Sequence, residues 1–497
     1  MLFNSIQFLL FFPLVTFLYF ALPFKYRWSL LLLSSCIFYM AFIPIYISIL
    51  AITIIIDYFA GIYIYKSTGK KKKLYLIISI ISTCLVLFIF KYFNFFIDNF
   101  NFIASLLGLH YPLHVLHIIL PIGLSFHTFQ SLSYVIEVYR GHQKPEPHFG
   151  IYSLYVMFYP QLVAGPIERP QNLLHQFHEY HPFNYYNVTT GLKRMAWGMF
   201  KKIVIADRLA FAVNYVYNDP TDQTSLAIIL ATIFFAFQIY CDFSGYSDIA
   251  IGAAQVMGYK LMNNFDRPYF SQTIADFWTR WHISLSSWLR DYLFLPLAYY
   301  FSRKMKKEYY YGMNSNQLIY AFSTLITFTI CGLWHGAAWT YVVWGAMNGV
   351  YLVFGNVLKK RKNRIFKKTG LKNFPTFLFI QGVVVSFLLI SFSWIFFRAR
   401  TFEEVGILLS QIFTKWELTT QYLNKSIFIG LDAKGLGIAI FALGVLFLYE
   451  FMQTRITIKS IIDKQTTPVR WMIYFIFINL IFILGIFGGS EFIYFQF

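Results

Sequence analysis

Two histidines stand in strongly apolar stretches of the second half of the chain. His335 lies in the sequence CGLWHGAAW, and His282 lies in DFWTRWHISLSSWLRDY. An imidazole can accept a proton near pH 7, and a basic side chain between apolar helices must be stabilised by its surroundings. These two residues therefore indicate proton-transfer chemistry in a buried site.

The surroundings of His335 favour a tightly packed position. Gly332 and Gly336 are four residues apart, and Gly345 and Gly349 repeat this spacing, which lets neighbouring helices approach closely. The same stretch contains three tryptophans: Trp334, Trp339 and Trp344. A lone histidine on an apolar helix is usually a packing residue. The glycines and tryptophans are the features that favour a functional histidine here.

The segment 268–301, PYFSQTIADFWTRWHISLSSWLRDYLFLPLAYYF, is the least lipid-like of the apolar regions. Asp276 and Arg280 are four residues apart, so a helix would place them on one face as an ion pair. Residues at helical spacing also predict an aromatic face: Trp278, Trp281, Leu285 and Trp288. Its other polar residues include His282, Ser284, Ser286, Ser287, Arg290 and Asp291. The segment is either an interfacial helix on the cytoplasmic side or the polar wall of a catalytic chamber.

A third polar element, FQIYCDFSGYSDIAIGAAQVMGY, carries two acids at membrane depth. Asp242 and Tyr246 are four residues apart, as are Ser244 and Asp248, so each pair can interact along a helix. Two buried carboxylates need partners, and the arginines between 280 and 290 are the expected ones. The two acids form either a structural ion-pair network or part of the catalytic machinery.

Two further acids and one turn complete the polar inventory. Asp57 and Glu137 are isolated acids within or at the ends of apolar runs, and we expect a structural role for both. The turn VAGPIERP, residues 163–170, has Pro and Gly at both ends of a charged pair and is expected to be rigid.

The elements that must position these residues are membrane helices. Hydrophobic residues make up 58% of the chain and charged residues 13%, whereas a soluble domain is about 45–50% apolar. Apolar runs long enough to cross about 30 Å of hydrocarbon predict an all-α polytopic fold of about 11 transmembrane helices. They lie near 4–22, 28–43, 45–65, 74–98, 115–138, 226–257, 317–335, 336–357, 374–397, 435–453 and 471–489. Segments near 149–165 and 268–301 are predicted to be re-entrant or tilted.

The net charge of +19 falls in short loops beside the apolar runs. The basic groups are Lys66 with Lys70 to Lys73, Lys193 to Lys202, Arg303 to Lys307, and Lys359 to Lys372. Such loops follow the positive-inside rule and can attract anionic lipid, so nucleic acid is not an expected partner. A cytoplasmic Lys66–Lys73 loop places the N-terminus outside, as a retained span rather than a signal peptide.

The remaining sequence features restrict the class of protein. The four cysteines are far apart in apolar stretches without the spacing of a metal site, so we expect reduced packing residues and no metal. No internal repeat or long polar linker divides the chain, which predicts one integral membrane domain, residues 1–497. The absence of paired broken helices counts against a secondary transporter. Several topologies fit residues 140–225.

The motifs of the chain resemble those of the membrane-bound O-acyltransferase (MBOAT) family, in particular its bacterial AlgI/DltB-like branch. The residues that carry the resemblance are VAGPIERP, YCDFSGYSDIAIG, NFDRPYFSQTIADFWTRWHISLSSWLRDYLFLPL, CGLWHGAAWTYVVWGAMNG and FSWIFFRA. The opening MLFNSIQFLLFFPLV and the closing EFIYFQF extend it from end to end. Each motif is moderately specific alone, and their order and spacing make the resemblance strong.

The resemblance implies a many-helix fold around a polar funnel. It also implies transfer of an acyl group from a thioester donor to a hydroxyl or amine, with no bound cofactor. The invariant catalytic histidine of the family corresponds to His335, and a second, more variable polar position corresponds to His282. The length of the chain favours the alginate-acetylation type over the shorter D-alanine type.

These implications give a mechanistic hypothesis. His335 acts as general base on an acceptor hydroxyl that attacks the thioester, and His282 orients the acceptor or stabilises the oxyanion. The residues expected to contact an anionic donor such as acetyl-CoA are Asp276, Arg280, Trp281, Arg290 and Trp334.

The expected setting is the plasma or inner membrane, with membrane lipid around a multi-pass chain. The expected partners are an extracytoplasmic acetyltransferase of the SGNH hydrolase type and a polysaccharide acceptor, namely an alginate-like exopolysaccharide or peptidoglycan. Two alternatives stay open. One is D-alanyl transfer to teichoic acid from an acyl-carrier protein, and the other is a lipid or polysaccharide transporter without acyl chemistry.

Overall fold

The computed structural model describes residues 1–109, 113–116, 120–163, 165–310, 312–417, 419–454, 458–488 and 492–493. These residues are predominantly helical, which confirms the predicted all-α class. The strands within the described residues form one short antiparallel pair, β1 (Tyr309–Tyr310) and β2 (Met313–Asn314).

The α-helices of the described ranges are α1 (Ile6–Ala21), α2 (Phe24–Met40), α3 (Ile47–Lys66), α4 (Gly69–Leu87), α5 (Phe93–Leu106), α6 (Leu124–Arg140), α7 (Phe149–Met157), α8 (Tyr159–Leu162), α9 (Pro170–Leu173), α10 (Tyr185–Met199), α11 (Asp207–Tyr217), α12 (Ser225–Val256), α13 (Ile274–Arg280), α14 (Ile283–Leu289), α15 (Leu295–Lys304), α16 (Ser315–His335), α17 (Trp339–Lys368), α18 (Pro375–Arg398), α19 (Phe402–Thr414), α20 (Thr420–Phe428), α21 (Ala433–Gln453), α22 (Ile458–Asp463) and α23 (Thr467–Leu484). Short 3₁₀ segments lie at Pro44–Tyr46, Leu174–His178, Pro268–Phe270 and Leu371–Asn373, and π-helical turns lie at Phe88–Tyr92, Phe200–Ala206 and Arg290–Phe294.

Eight helical stretches of the described chain are long and apolar enough to cross a membrane. They are Pro44–Lys66, Gly69–Leu106, Ser225–Val256, Ser315–His335, Trp339–Lys368, Pro375–Arg398, Ala433–Gln453 and Thr467–Leu484. Each corresponds to one of the spans expected from the apolar runs, and the chain is a polytopic membrane protein.

The other three predicted spans form shorter helices. The runs at 4–22 and 28–43 form helices of 16 and 17 residues. Within the run at 115–138, a 17-residue helix begins at Leu124, directly after Gly123, whose backbone is left-handed with φ of 78°. A helix of this length covers about 26 Å, which is less than the hydrocarbon thickness of about 30 Å.

The chain divides into two compact units. The first unit comprises Met1–Gly198 and Tyr246–Asn263, and the second comprises Met199–Gly245 and Asn264–Phe497. Both candidate histidines belong to the second unit. The organisation of the whole chain as one membrane domain stays a prediction.

Residues 268–301 form a series of short helices. α13 ends at Arg280 and α14 begins at Ile283, because the intervening His282 has a left-handed backbone with φ 44° and ψ 55°. The predicted aromatic face of this segment is therefore divided between two helices. A non-glycine residue in this conformation costs on the order of 1–3 kcal/mol and is found preferentially at functional sites.

The prediction of a basic loop at Lys193–Lys202 is wrong. This segment is helical, through α10 and the π-helical turn Phe200–Ala206. Lys201 and Lys202 are both buried, so neither belongs to a solvent-exposed basic loop. They consequently carry no information about the side of the membrane on which this segment lies.

Candidate active site

The position of His335 is set by a close pair of helices, α16 and α17. A Cβ atom on Gly332 would lie 2.2 Å from the carbonyl oxygen of Tyr341, and one on Gly345 would lie 2.2 Å from that of Phe328. These glycines therefore let the two helix backbones touch, as their spacing predicts. His335 is the last residue of α16, at the end of this contact.

An aromatic shell surrounds the imidazole of His335, which is 4% exposed. The ring centroids of Trp334, Trp344 and Phe397 lie 4.7, 5.0 and 5.3 Å from that of His335. Trp344 in turn stacks on Trp394, with 5.5 Å between centroids. Since these rings are large and rigid, they restrict the imidazole to one orientation and keep bulk water away from it.

Trp334 links the two candidate histidines. Its ring centroid lies 4.7 Å from that of His335 and 6.4 Å from that of His282. The three rings come from two separate chain segments, the end of α16 and the break between α13 and α14. The structure therefore places both predicted histidines around one tryptophan, in the second unit.

Asn264 determines which nitrogen of His282 carries the proton. The backbone N–H of Ser284 donates to Oδ1 of Asn264 at 3.2 Å, which identifies that atom as the acceptor. Nδ1 of His282 lies 3.1 Å from the same oxygen and must donate to it. In the neutral ring, Nε2 then keeps its lone pair.

The neutral form of His282 is also favoured by its burial. The residue is fully buried and lies outside the eight candidate spans. Desolvation lowers the pKa of His282 to about 3. At pH 7 its Nε2 is therefore a hydrogen-bond acceptor, and the ring has no second donor to offer.

Comparison with known proteins shows the family of this chain. The sequence pattern described as MBOAT, the membrane-bound O-acyltransferase family, matches residues 139–399, which is more than half of the chain. The chain belongs to this family. It is therefore a membrane-bound acyltransferase, and the matched region contains both histidines.

Three relatives differ in the fraction of this chain over which they align. The probable alginate O-acetylase AlgI of Azotobacter vinelandii is 34% identical over 464 residues, covering 92% of this chain and 87% of the relative. The peptidoglycan O-acetyltransferase of Helicobacter pylori is 33% identical over 401 residues, or 75% and 71% of the two chains. The teichoic acid D-alanyltransferase of Bacillus subtilis is 27% identical over 305 residues, or 59% and 72%.

Two of the predicted donor contacts of this acyltransferase form an ion pair. Nε of Arg280 lies 2.8 Å from Oδ1 of Asp276, as their spacing predicts, and both side chains are partly exposed. Arg290 instead pairs with its neighbour Asp291 at 2.7 Å and is largely exposed. Contact of these residues with the donor stays a prediction.

Trp281, another predicted donor contact, lies among other aromatic rings. It is buried, and its ring centroid lies 5.4 Å from those of Phe277 and Trp394. Trp394 also stacks on Trp344 beside His335. Trp281 is therefore connected to the aromatic shell of His335 through Trp394, and its contact with the donor stays a prediction.

The prediction that arginines pair with Asp242 is wrong. Nζ of Lys202 lies 2.8 Å from Oδ1 of Asp242 and 2.8 Å from Oδ1 of Asp207, and all three side chains are buried. The sequence pattern did not reveal this triad because the π-helical turn that places Lys202 inward has no clear signature. The adjacent Lys201 donates to Ser244 at 2.9 Å.

Asp248 belongs to the first unit and also lacks the expected partner. Nε of Arg194 lies 2.8 Å from its Oδ1, and the same guanidinium donates to Asn263. Within this acyltransferase, Asp242 and Asp248 thus make separate ion pairs, each with a basic residue from the segment once expected to be a loop.

The other two acids singled out in the sequence also have polar partners. Asp57 accepts hydrogen bonds from Ser79 at 2.6 Å and Thr83 at 3.1 Å. Glu137 contacts Arg140 at 3.2 Å, His142 at 2.9 Å and Gln171 at 2.7 Å. Among the residues the structure describes, no three His, Cys, Asp or Glu side chains form a group that could hold a metal ion.

Glu168 of the VAGPIERP turn is buried at the wall of a cavity of about 630 Å³ in the first unit. The cavity is lined by Glu168, Gln171, Asn172, His175, Gln176, Glu179, His181, Asn187, Gly258, Lys260, Leu261 and Met262. The backbone N–H of Met262 donates to Oε1 of Glu168 at 2.5 Å. Burial is the larger effect, however, and raises the pKa of Glu168 to about 7.

This raised pKa predicts a pH-dependent stability. Between pH 4.5 and 7 the folded chain holds a proton on Glu168 that the unfolded chain releases, so the free energy of unfolding falls as the pH rises through this window. Glu168→Gln should remove that loss, which is roughly 3 kcal/mol at 1.36 kcal/mol per pKa unit. Denaturant unfolding in detergent at pH 5 and pH 8 should show the variant gaining on wild type at the higher pH.

The control for this prediction is Glu179→Gln. Glu179 lines the same cavity but is more than half exposed, beside His175. Its replacement should give nearly the same difference from wild type at both pH values. An equal difference for Glu168→Gln at pH 5 and pH 8 would contradict the assignment.

Proposed function

We propose that this chain is a membrane O-acetyltransferase that moves acetyl from a cytoplasmic thioester to supply O-acetylation of a cell-surface polysaccharide. The observation that carries the proposal is the grouping of His335 and His282 around Trp334. The relative named an alginate O-acetylase aligns over 92% of this chain.

The proposed step is general-base catalysis by His335. Its imidazole takes the proton of an acceptor hydroxyl as the oxygen forms a bond to the thioester carbonyl carbon. The C–S bond then breaks, and the departing thiolate takes up the proton from the imidazolium. The aromatic shell supports this role, because exclusion of water limits hydrolysis of the thioester.

His282 has a narrower role than an oxyanion donor. Its Nδ1 proton is engaged by Asn264, and its Nε2 is an acceptor. A nitrogen that accepts hydrogen bonds can receive one from a substrate hydroxyl, but it cannot stabilise a developing negative charge. His282 therefore orients the acceptor hydroxyl.

The donor and partners follow from the same proposal. Acetyl-CoA, or another acyl thioester, is the donor, and the partly exposed Arg280 and Arg290 offer positive charge to its phosphates. The chain resides in the plasma or inner membrane. An extracytoplasmic acetyltransferase of the SGNH hydrolase type completes transfer to an alginate-like exopolysaccharide or to peptidoglycan.

D-alanyl transfer to teichoic acid is the second candidate. The D-alanyltransferase of Bacillus subtilis is similar to this chain, but the similarity covers 59% of it at 27% identity. The acetylating relatives cover 75% and 92% at 33% and 34% identity. This difference in coverage favours acetyl as the transferred group.

The test uses the purified full chain in sealed liposomes. Acetyl-CoA and a D-alanyl-charged carrier protein are offered separately, with an oligosaccharide acceptor, and release of free thiol is measured. We expect thiol release and labelled acceptor with acetyl-CoA alone. Consumption of only the D-alanyl thioester would favour the second candidate, and acceptor movement without thiol release would indicate a transporter.

A further inference from the structure

The described residues near the end of the chain return to the interior of the second unit. Phe492 and Ile493 are both buried. The backbone N–H of Ile493 donates to Oδ2 of Asp242 at 2.8 Å. Oδ1 of the same carboxylate binds Lys202 at 2.8 Å. The segment therefore binds directly to the buried ion-pair triad.

A second attachment lies just after α23. The backbone N–H of Ile486 donates to the carbonyl of Ile203 at 3.0 Å, and Arg208 donates to the carbonyl of Leu484 at 2.7 Å. Ile203 belongs to the π-helical turn, where the regular helical hydrogen-bond pattern is interrupted and carbonyls become available to other segments. The chain after α23 is thus held by backbone bonds at both of its described parts.

A continuous path of ring contacts leads from this segment to His282. The rings of Phe492 and Phe243 are 5.8 Å apart in an edge arrangement. Phe243 in turn meets His282 edge-on at 4.6 Å. On another side of the imidazole, Asn264 binds Nδ1.

We infer that Phe492 is a positioning residue for His282, acting through Phe243. The inference rests on the proposed function, since it concerns the histidine that orients the acceptor. The bond to Asn264 fixes the Nδ1 edge of the imidazole. The ring of Phe243 packs edge-on against the same imidazole, and Phe492 packs against Phe243.

Loss of the Phe492 ring should therefore affect turnover more than binding. Phe492→Ala opens space beside Phe243, so that Phe243 and then His282 can move. Misplacement of a catalytic group by about 1 Å can cost on the order of 100-fold in rate. For this indirect contact we expect kcat for acetyl transfer to fall about tenfold, with KM within about twofold of wild type.

The experiment is a double-mutant cycle on the full chain in liposomes, with acetyl-CoA as donor. The variants are Phe492→Ala, His282→Ala and the double variant, with Phe492→Leu as the conservative replacement. The matched control is Phe487→Ala, because Phe487 lies on the same segment but is 52% exposed. Folding of each variant is checked by its unfolding temperature.

The expected result is a loss with Phe492→Ala that disappears in the His282→Ala background, partial rescue by Phe492→Leu, and wild-type kcat for Phe487→Ala. An equal loss in both backgrounds would show a general structural effect and overturn the inference. Unchanged kcat in Phe492→Ala would also overturn it.

A measurement without acetyl transfer separates this inference from the proposed function. Diethyl pyrocarbonate modifies accessible imidazoles, and mass spectrometry reports modification at His282. The fully buried ring should react slowly in wild type and in Phe487→Ala, and several-fold faster in Phe492→Ala. Wild-type protein that transfers no acetyl but shows this pattern would refute the function and support the positioning role. Equal reactivity in all three would refute the positioning role alone.

Discussion

Replacement of His335 by alanine is expected to lower acetyl transfer by about 10²–10⁴-fold, the range that general-base catalysis supplies. The imidazole is the proposed proton acceptor at the meeting point of α16, Trp344 and Phe397. Alanine keeps the helix and removes the basic nitrogen. The loss should appear in kcat, because the proton is transferred in the transition state.

The measurement is thiol release from acetyl-CoA in liposomes, together with surface-polymer acetylation in cells that express the variant at wild-type level. His127→Ala is the matched control, because His127 is equally buried, in the first unit, and contacts Thr53 at 3.3 Å. His127→Ala should retain most of the activity, at an unfolding temperature similar to that of His335→Ala. If His335→Ala acetylates at the wild-type level, His335 is not part of the mechanism.

Part of the site is predictable because its determinants are local in sequence. The glycine spacing around His335 predicts the close contact of α16 with α17, and the four-residue spacing of Asp276 and Arg280 predicts their ion pair. Both patterns depend only on helical periodicity. For the same reason the apolar runs predict the eight spans well.

The rest of the site depends on contacts between distant segments. Asn264 stands 18 residues before His282, and its only signal in the sequence is its place at the start of the motif NFDRPYF. The aromatic residues from Trp278 to Trp288 have the spacing of one continuous helix. Periodicity therefore does not predict the break at His282. Backbone conformation and amide orientation are decided by tertiary contacts, which composition and spacing do not encode.

The Lys202 triad illustrates the same limit for charges. The basic residues of Lys193–Lys202 predict a loop, because basic loops flank membrane spans. In the structure a π-helical turn places Lys202 between Asp207 and Asp242, which lie 5 and 40 residues away. Because Lys202 is buried, its charge stabilises the interior and does not indicate the membrane topology.

Removal of this charge should be strongly destabilising. Lys202→Met leaves the carboxylates of Asp207 and Asp242 buried without their ammonium partner. Breaking a buried ion pair by removing one partner typically costs about 3–5 kcal/mol. We therefore expect the free energy of unfolding to fall by that amount, and the unfolding temperature in detergent to fall with it.

Lys425→Met provides the matched control, because Lys425 makes an ion pair of the same 2.8 Å length with Asp222. The Lys425 side chain is partly exposed, and that of Asp222 is largely exposed. Such a pair contributes little to stability, since water solvates the carboxylate that is left behind. Tryptophan fluorescence during thermal unfolding should thus separate the two variants clearly. Equal shifts would mean that water reaches the triad, and Asp242 would then be a poor anchor for the segment that carries Phe492 and Ile493.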